Sequence, residues 1–370
     1  MLAGVVFHAM LAYSPLLHPF WPLADARRST WIDAFAWSLH LFRMPLFFVV
    51  AGFFTALLTT RRGIAGMLRH RAAHVLAPLA IFLPITIAGI GALTSHALAN
   101  VRHPSPALAW LRDYVAEHGA MPPSVSLSHL WFLFYLMLFA VLVWVASTLG
   151  SKTIRARLDT VRPGTIFVFG PLLLVPPLLG TNAPWPAPES PLPQPWALAF
   201  FGLFFAFGYA SFRREALLDR LKPFAPLLLV GALAASVAFL WTLGDAQTLR
   251  PNASRQLAQA FLQAYAGAWM ALWCLHAGKT WLNRESVVMR YLSDASYWVY
   301  LAHLPILFAV QYPLLDVEAH WSAKLAISTG ATLALCFASY QLLVRDTPIG
   351  TLLSGRRGNA RTSERRSPAG

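Results

Sequence analysis

Charge is scarce in this chain. Only 12% of its 370 residues are Asp, Glu, Lys or Arg, against about 25% in an ordinary soluble domain. With 57% of the residues hydrophobic, a water-soluble fold could not cover its own surface. Cysteine is rarer still: Cys274 and Cys336 each lie inside an apolar run, which excludes a disulfide framework and a cysteine metal motif. Gly-rich phosphate loops and dinucleotide fingerprints are missing, so nucleotide hydrolysis finds no support. No Ser-His-Asp or cysteine nucleophile motif occurs, and no internal repeat. Acidic residues are the scarcer sign, 15 against 29 Lys and Arg, a formal charge of +14. In a soluble protein that excess would suggest nucleic acid. Here the basic residues form short clusters between apolar stretches, the distribution of cytoplasmic loops beside anionic lipid headgroups, which argues against a nucleic-acid partner and for membrane lipid.

What the chain does have is apolar length. A bilayer-spanning helix needs about 20 apolar residues, so ten would use roughly 200 and leave short connections. Runs bounded by charge, proline and turn residues fall near 1–19, 35–58, 75–98, 128–149, 164–181, 196–212, 223–243, 257–277, 292–312 and 323–344. The expected fold is therefore all-α and polytopic, about ten transmembrane helices forming one membrane-embedded domain over 1–344. A basic tail over 345–370 is expected to be disordered and cytoplasmic. After spans two, four, six and eight come Arg61/Arg62/Arg69/Arg71, Lys152/Arg155/Arg157/Arg162, Arg213/Arg214/Arg220/Lys222 and Lys279/Arg284/Arg290. With the tail this side holds 21 basic residues; the other holds seven, Arg250, Arg255 and Lys324 among them. The positive-inside rule then places both termini in the cytoplasm.

Two outer connections stand out. Thr181–Pro195 has six prolines and no Lys or Arg, and reads as an extended external segment. Asn100–Leu127 is the longest loop, either a lid or interfacial helix or a plain solvated connection. The amino terminus has no basic region of the signal-peptide kind and offers about 17 residues before its Pro19 exit, the bottom of the spanning range, so the start is expected to lie upstream.

Ionisable residues inside spans are costly and usually face a cavity or a partner. Five occur: His8 in span one, His40 and Arg43 in span two, His129 at the outer end of span four and His303 in span nine. At 1.5 Å per residue, His303 stands about 20 Å above Arg290 and Arg43 about 27 Å from Arg61, both in the outer half. His40 is one turn from Arg43 on the same face. His129 and Trp131 sit near the outer headgroups, and His8 is the deepest histidine of the cytoplasmic half. Each also has a bland reading: a histidine bonded to a neighbouring helix, Trp131 as an interfacial anchor, Arg43 snorkelling outward. Between spans two and three, MLRHRAAHVLAPL places Arg69, His70, Arg71 and His74 within one and a half turns. That is either a grip for phosphates or an ordinary positive-inside loop. No histidine, cysteine and carboxylate spacing suggests a metal.

Five strings taken in order carry a resemblance: GVVFHAMLAYSPLL (4–17), FRMPLFFVVAGFF (42–54), the Arg-rich stretch ending at Pro78, HLWFLFYLMLF (129–139) and SYWVYLAHLPI (296–306). Together they resemble the integral-membrane acyltransferase family 3, and within it the glucan-biosynthesis protein C branch associated with succinyl transfer to osmoregulated periplasmic glucans. The resemblance implies an acyltransferase of the bacterial cytoplasmic (inner) membrane, moving groups other than amino-acyl groups. Its donor would be acyl-CoA, succinyl or acetyl, used as a substrate with no permanently bound cofactor. Its acceptor would be a glycan or glucan hydroxyl outside, with contact to the glucan-synthesis machinery. His8 matches the family's first-helix histidine. Arg71 matches the first member of a paired-arginine motif near the donor site, whose second position here is His74. The basic residue that the family places eleven positions before its histidine would fall before Met1.

On this reading neutral His8 takes the proton of an attacking hydroxyl or carries the acyl group. Arg69, Arg71 and His74 hold coenzyme A phosphates. His40, Arg43, His129, Trp131 and His303 line the acceptor side, Arg43 being the cation available to a buried succinyl carboxylate. The rivals are a polyol or glycan transporter or flippase using the same polar cavity without covalent chemistry, and an inactive interaction protein.

Overall fold

The structure, a computed structural model, describes residues 1–122, 125–149, 163–212, 219–220, 222–243, 252–282 and 286–354. The expected inner-loop cations Lys152, Arg155, Arg157, Arg162, Arg213, Arg214 and Arg284, the outer Arg250, and the tail beyond Ser354 lie outside them. Among the described residues all regular structure is helical. In chain order the helices are α1 (Leu2–Leu11), α2 (Thr30–Arg71), α3 (Ala77–Asn100), α4 (Pro106–His118), α5 (Trp131–Thr148), α6 (Pro163–Phe169), α7 (Val175–Leu179), α8 (Pro195–Ser211), α9 (Ala225–Thr242), α10 (Ala253–Trp281), α11 (Val287–Leu314), α12 (Trp321–Ser339) and α13 (Pro348–Ser354). Helix thus occupies each of the ten apolar stretches. Four helical stretches, Thr30–Asn100, which is kinked at Gly63 (φ +67°), Ser128–Thr148, Lys222–Thr242 and Trp321–Val344, are long and apolar enough to cross a membrane.

Three expectations about elements change, and the long outer loop takes the helical one of its two readings. Span one is a short rod: α1 stops at Leu11, about 15 Å long, because Pro15 disfavours helix at the residue before it. The chain turns back there, with the amide of Asp25 on the Ala12 carbonyl (2.8 Å) and that of Ser29 on Tyr13 (3.1 Å). Span five is broken into α6, a 3-10 turn over Gly170–Leu174 and α7, since Pro171, Pro176 and Pro177 each lack the donor a continuous helix needs. The long outer loop contains α4, capped by Ser105, whose Oγ accepts from the Leu108 amide (3.0 Å), and ended by Gly119 at φ +74°. The tail is helical over α13, where the Leu352 carbonyl accepts from Nδ1 of His74 (2.6 Å).

Close packing positions the site. α2 crosses α8 where Gly52 and Gly208 face each other. A Cβ on Gly52 would stand 2.0 Å from the Phe205 carbonyl oxygen, and one on Gly208 1.9 Å from that of Val49. Only glycine permits such an approach. Around the crossing Phe48, Phe132, Phe139 and Phe201 form one aromatic core with α5. Pro45 lacks the donor that would take the Leu41 carbonyl, and α10 crosses at that point with Gly267, whose Cβ would lie 2.8 Å from the Leu41 oxygen. A second core joins α1 and the turn after it to α4 and α11.

Candidate functional site

The intramembrane polar residues that the sequence scatters over four spans line one cavity. It is bounded by α1, α2, the 3-10 turn leading into α5, α11 and the Pro-rich segment before α8. His8, His40, Arg43, His129, Trp131 and His303 all line it. Its internal volume is about 70 Å³, room for a few waters.

α11 supplies the central scaffold. Pro305 cannot donate to Leu301, one turn back, which leaves the Leu301 carbonyl without its helical donor. The Tyr300 carbonyl accepts from His303 Nδ1 (2.8 Å) and from His129 Nε2 (3.0 Å), while the Tyr300 hydroxyl donates to the His129 carbonyl (2.8 Å). His129 is delivered by Ser128, whose φ of +48° is a left-handed conformation that side chains rarely adopt, a local strain of the kind concentrated at functional sites. Each imidazole is thus held by one nitrogen. The rings of His8 and His303 are 5.3 Å apart between centroids, and those of His303 and His129 4.9 Å. His8 Nδ1 and His303 Nε2 are buried without a hydrogen-bond partner.

On the other wall four groups stack in sequence. The Arg43 guanidinium lies 4.2 Å from the Phe7 ring centroid, Phe7 stacks on His40 at 5.2 Å, and His40 stacks on Trp185 at 3.8 Å. His40 Nε2 donates to the Trp185 carbonyl (2.8 Å), and the Trp185 amide donates to Gln263 Oε1 (3.0 Å). Arg43 is 7% exposed, and its Nε and Nη1 have no partner. A cation desolvated this far, held by a ring face, is an electrostatic demand for an anion.

The Pro-rich segment therefore does more than the sequence suggests. It dips into the bundle as a strap, burying Trp185, and it is pinned again where the Leu127 amide meets the Glu189 carbonyl (2.7 Å) and where Ser126 Oγ donates to the Glu189 carboxylate (2.8 Å). Trp185, Tyr300, Phe7 and Glu189, which also line the cavity, escape a search for charged residues inside spans. Two of them leave a trace: Trp185 is a large aromatic isolated among prolines, and Tyr300 precedes His303 by one turn.

The basic stretch does not act as one cluster. Arg69 is exposed on the flank toward Met137, Val141 and Trp144 of α5, because two residues along a helix are about 200° apart. Arg71 turns inward, donating from Nη2 to Thr55 Oγ1 (2.6 Å) and Ala51 O (3.4 Å). His74 faces α13, and the Tyr297 hydroxyl donates to its carbonyl (2.9 Å). One turn apart on α11, Tyr297 reaches the basic stretch through this bond and Tyr300 reaches His129 in the cavity. This face of α11 thus runs from the basic stretch to the histidine cavity.

A family model for an acyltransferase domain, acyltransferase family 3, matches residues 1–341. Among curated proteins the chain is similar to the glucans biosynthesis protein C of Escherichia coli O6:K15:H31 (strain 536 / UPEC), 25% identical over 340 residues, covering 87% of this chain and 83% of that protein. It is similar to the protein of the same name from E. coli K12, 24% identical over 339 residues with the same coverage. No solved structure matches. With the match running through α1, the histidine cavity and α12, this chain belongs to the integral-membrane acyltransferase family 3.

Proposed function

We propose that the protein is an O-acyltransferase of the bacterial inner membrane, with ten spans and both termini in the cytoplasm, that moves a succinyl or acetyl group from cytoplasmic acyl-CoA to a hydroxyl of an extracytoplasmic glucan. The observation that carries this is the convergence of His8 with three further histidines and Arg43 in one cavity, with α11 running from it to the basic stretch. That layout suits a donor entering from the side of the basic loops and an acceptor arriving under the Trp185 strap. The relatives' name, glucans biosynthesis protein C, favours a glucan among possible acceptors and a place beside the glucan-synthesis machinery.

In the reaction His8 takes the proton of the acceptor hydroxyl as its oxygen attacks the thioester carbonyl. The C–S bond breaks, and the thiolate leaves with the proton returned by His8. Arg43 receives the carboxylate of a succinyl group, the partner its burial calls for. Arg71, turned inward, and His74, beside α13, hold coenzyme A phosphates. Arg69, on the opposite flank, supplies attraction at longer range.

The test is thiol release from acetyl- and succinyl-CoA by purified protein in detergent, with a membrane-derived glucan as acceptor, for wild type and His8→Ala. Acceptor-dependent release that falls by two or more orders of magnitude in the variant supports the reading. Glucan or polyol movement across vesicles without thiol release replaces it with a carrier, and equal release by both proteins removes His8 from the chemistry.

A further inference from the structure

His8 has a problem that its own helix cannot solve. To act as a base it must present one nitrogen lone pair to the cavity, so its other nitrogen must carry a proton, and that N–H needs an acceptor. Of the charged and titratable groups lining the cavity, His303, Arg43, His129 and His40 act on His8, while the Glu189 carboxylate accepts from Ser126 Oγ at the strap. His40 and His129 each commit Nε2 to a backbone carbonyl elsewhere, and Arg43 has no lone pair to offer. His40 also keeps a nitrogen, Nδ1, buried without a partner, but its ring is stacked between Phe7 and Trp185, whereas His303 packs against the His8 ring. The His303 Nδ1 proton is fixed on the Tyr300 carbonyl, which forces the lone pair onto Nε2, and that Nε2 is buried without a partner. On the other side of the gap His8 Nδ1 is buried without a partner too. The two rings are 5.3 Å apart between centroids and inclined at 45°. At that separation, turning a ring to face the other brings two nitrogens to about 3 Å, the length of an N–H···N bond.

We infer that His303 is the positioning partner of His8, accepting the His8 Nδ1 proton on its Nε2 and so holding His8 in the tautomer whose Nε2 lone pair faces the cavity. This rests on the role of His8 in the proposed function and adds what that role needs. The geometry is supplied in relay: the Tyr300 carbonyl fixes the His303 tautomer, and His303 fixes that of His8. When His8 takes the acceptor proton, its second N–H bond strengthens toward His303, and the resulting imidazolium is stabilised beside Arg43, where an unassisted one would be repelled. No proton is lost in the cycle: the one taken from the hydroxyl leaves on the thiol, and the one shared with His303 stays.

Two measurements test this on the full chain in lipid or detergent. The first is the ring ¹⁵N spectrum of histidine-labelled protein, with His8 assigned by its absence in His8→Ala. A protonated Nδ1 on His8 in wild type, and redistribution toward the other tautomer in His303→Asn, is the expected result. A His8 already protonated at Nε2, or one unmoved by His303→Asn, overturns the inference. The second is turnover. His303→Asn keeps a short amide N–H for the Tyr300 carbonyl and removes the Nε2 acceptor, so kcat should fall by about 10²-fold with KM for both substrates within about threefold. His303→Gln, which can place an amide oxygen near the position of Nε2, should recover part of the loss. A His303→Asn protein with wild-type kcat overturns the inference while leaving His8 in place. Retained turnover in His8→Ala overturns the role of His8 itself.

Discussion

A single buried ion pair offers the sharpest test of how the first helix is held. Asp25, in the connection between α1 and α2, meets Lys324 in the first turn of α12, and their side chains are only 4% and 3% exposed. Lys324→Met leaves the Asp25 carboxylate in that environment with the Arg27 amide (2.8 Å) as its remaining hydrogen-bond donor. Removing one member of such a pair costs about 3–5 kcal/mol, because the desolvated charge left behind is uncompensated. At about 2.1 cal/mol/K of unfolding entropy per residue, a 370-residue chain loses roughly 4–6 °C of Tm for that cost. The double variant Asp25→Leu/Lys324→Met has no charge to strand and should regain the wild-type Tm or exceed it, since apolar replacement of a buried pair is neutral or stabilising by about 1–4 kcal/mol. Thermal unfolding in detergent, followed by tryptophan fluorescence and by monodisperse elution after heating, reads both. A single variant within about 1 °C of wild type, or a double variant that falls further than the single one, refutes the reasoning.

Three other outcomes follow from contacts elsewhere. Gly208→Ala drives a methyl to 1.9 Å from the Val49 oxygen, so α2 and α8 must part; a loss of about 1–3 kcal/mol or more should appear as a lowered Tm, whereas Gly330→Ala, with nothing within 4 Å, should leave it unchanged. Trp185→Ala opens the strap over a cavity of about 70 Å³ and admits water to the donor. Acyl-CoA hydrolysis without acceptor should rise several-fold over wild type, and unchanged hydrolysis would show that the strap does not seal the site. Arg71→Gln loses the inward-facing, half-buried cation of the basic stretch and should raise the donor KM at least tenfold. Arg69→Gln, on the exposed flank, should change it by less than threefold at physiological salt, where surface attraction is screened.

How much of this was legible in the residues differs by element. The apolar runs located helix in all ten stretches because burial of the backbone in hydrocarbon leaves a single chain few other choices. The cost of charge in that setting picked out His8, His40, Arg43, His129 and His303 before any contact was known, and all five line one cavity. Prolines were legible as breaks but not as architecture: those of Thr181–Pro195 read as an outer spacer, yet they carry Trp185 inward onto His40. Arg69 and Arg71 read as one grip, yet helical geometry sends them to opposite flanks. Lys324 counted as an outer-loop cation, although its partner Asp25 draws it into the interior.

The sequence by itself determined that the chain is helical, apolar and built for the membrane, and which ionisable groups stand at membrane depth, because hydropathy and desolvation act residue by residue. Only the tertiary structure decided that these groups meet, that the Tyr300 carbonyl serves His129 and His303 together, and that the strap closes over them. Those outcomes depend on the Gly52–Gly208 approach, which sets how helices distant in sequence cross, and no local periodicity encodes a distance between two helices.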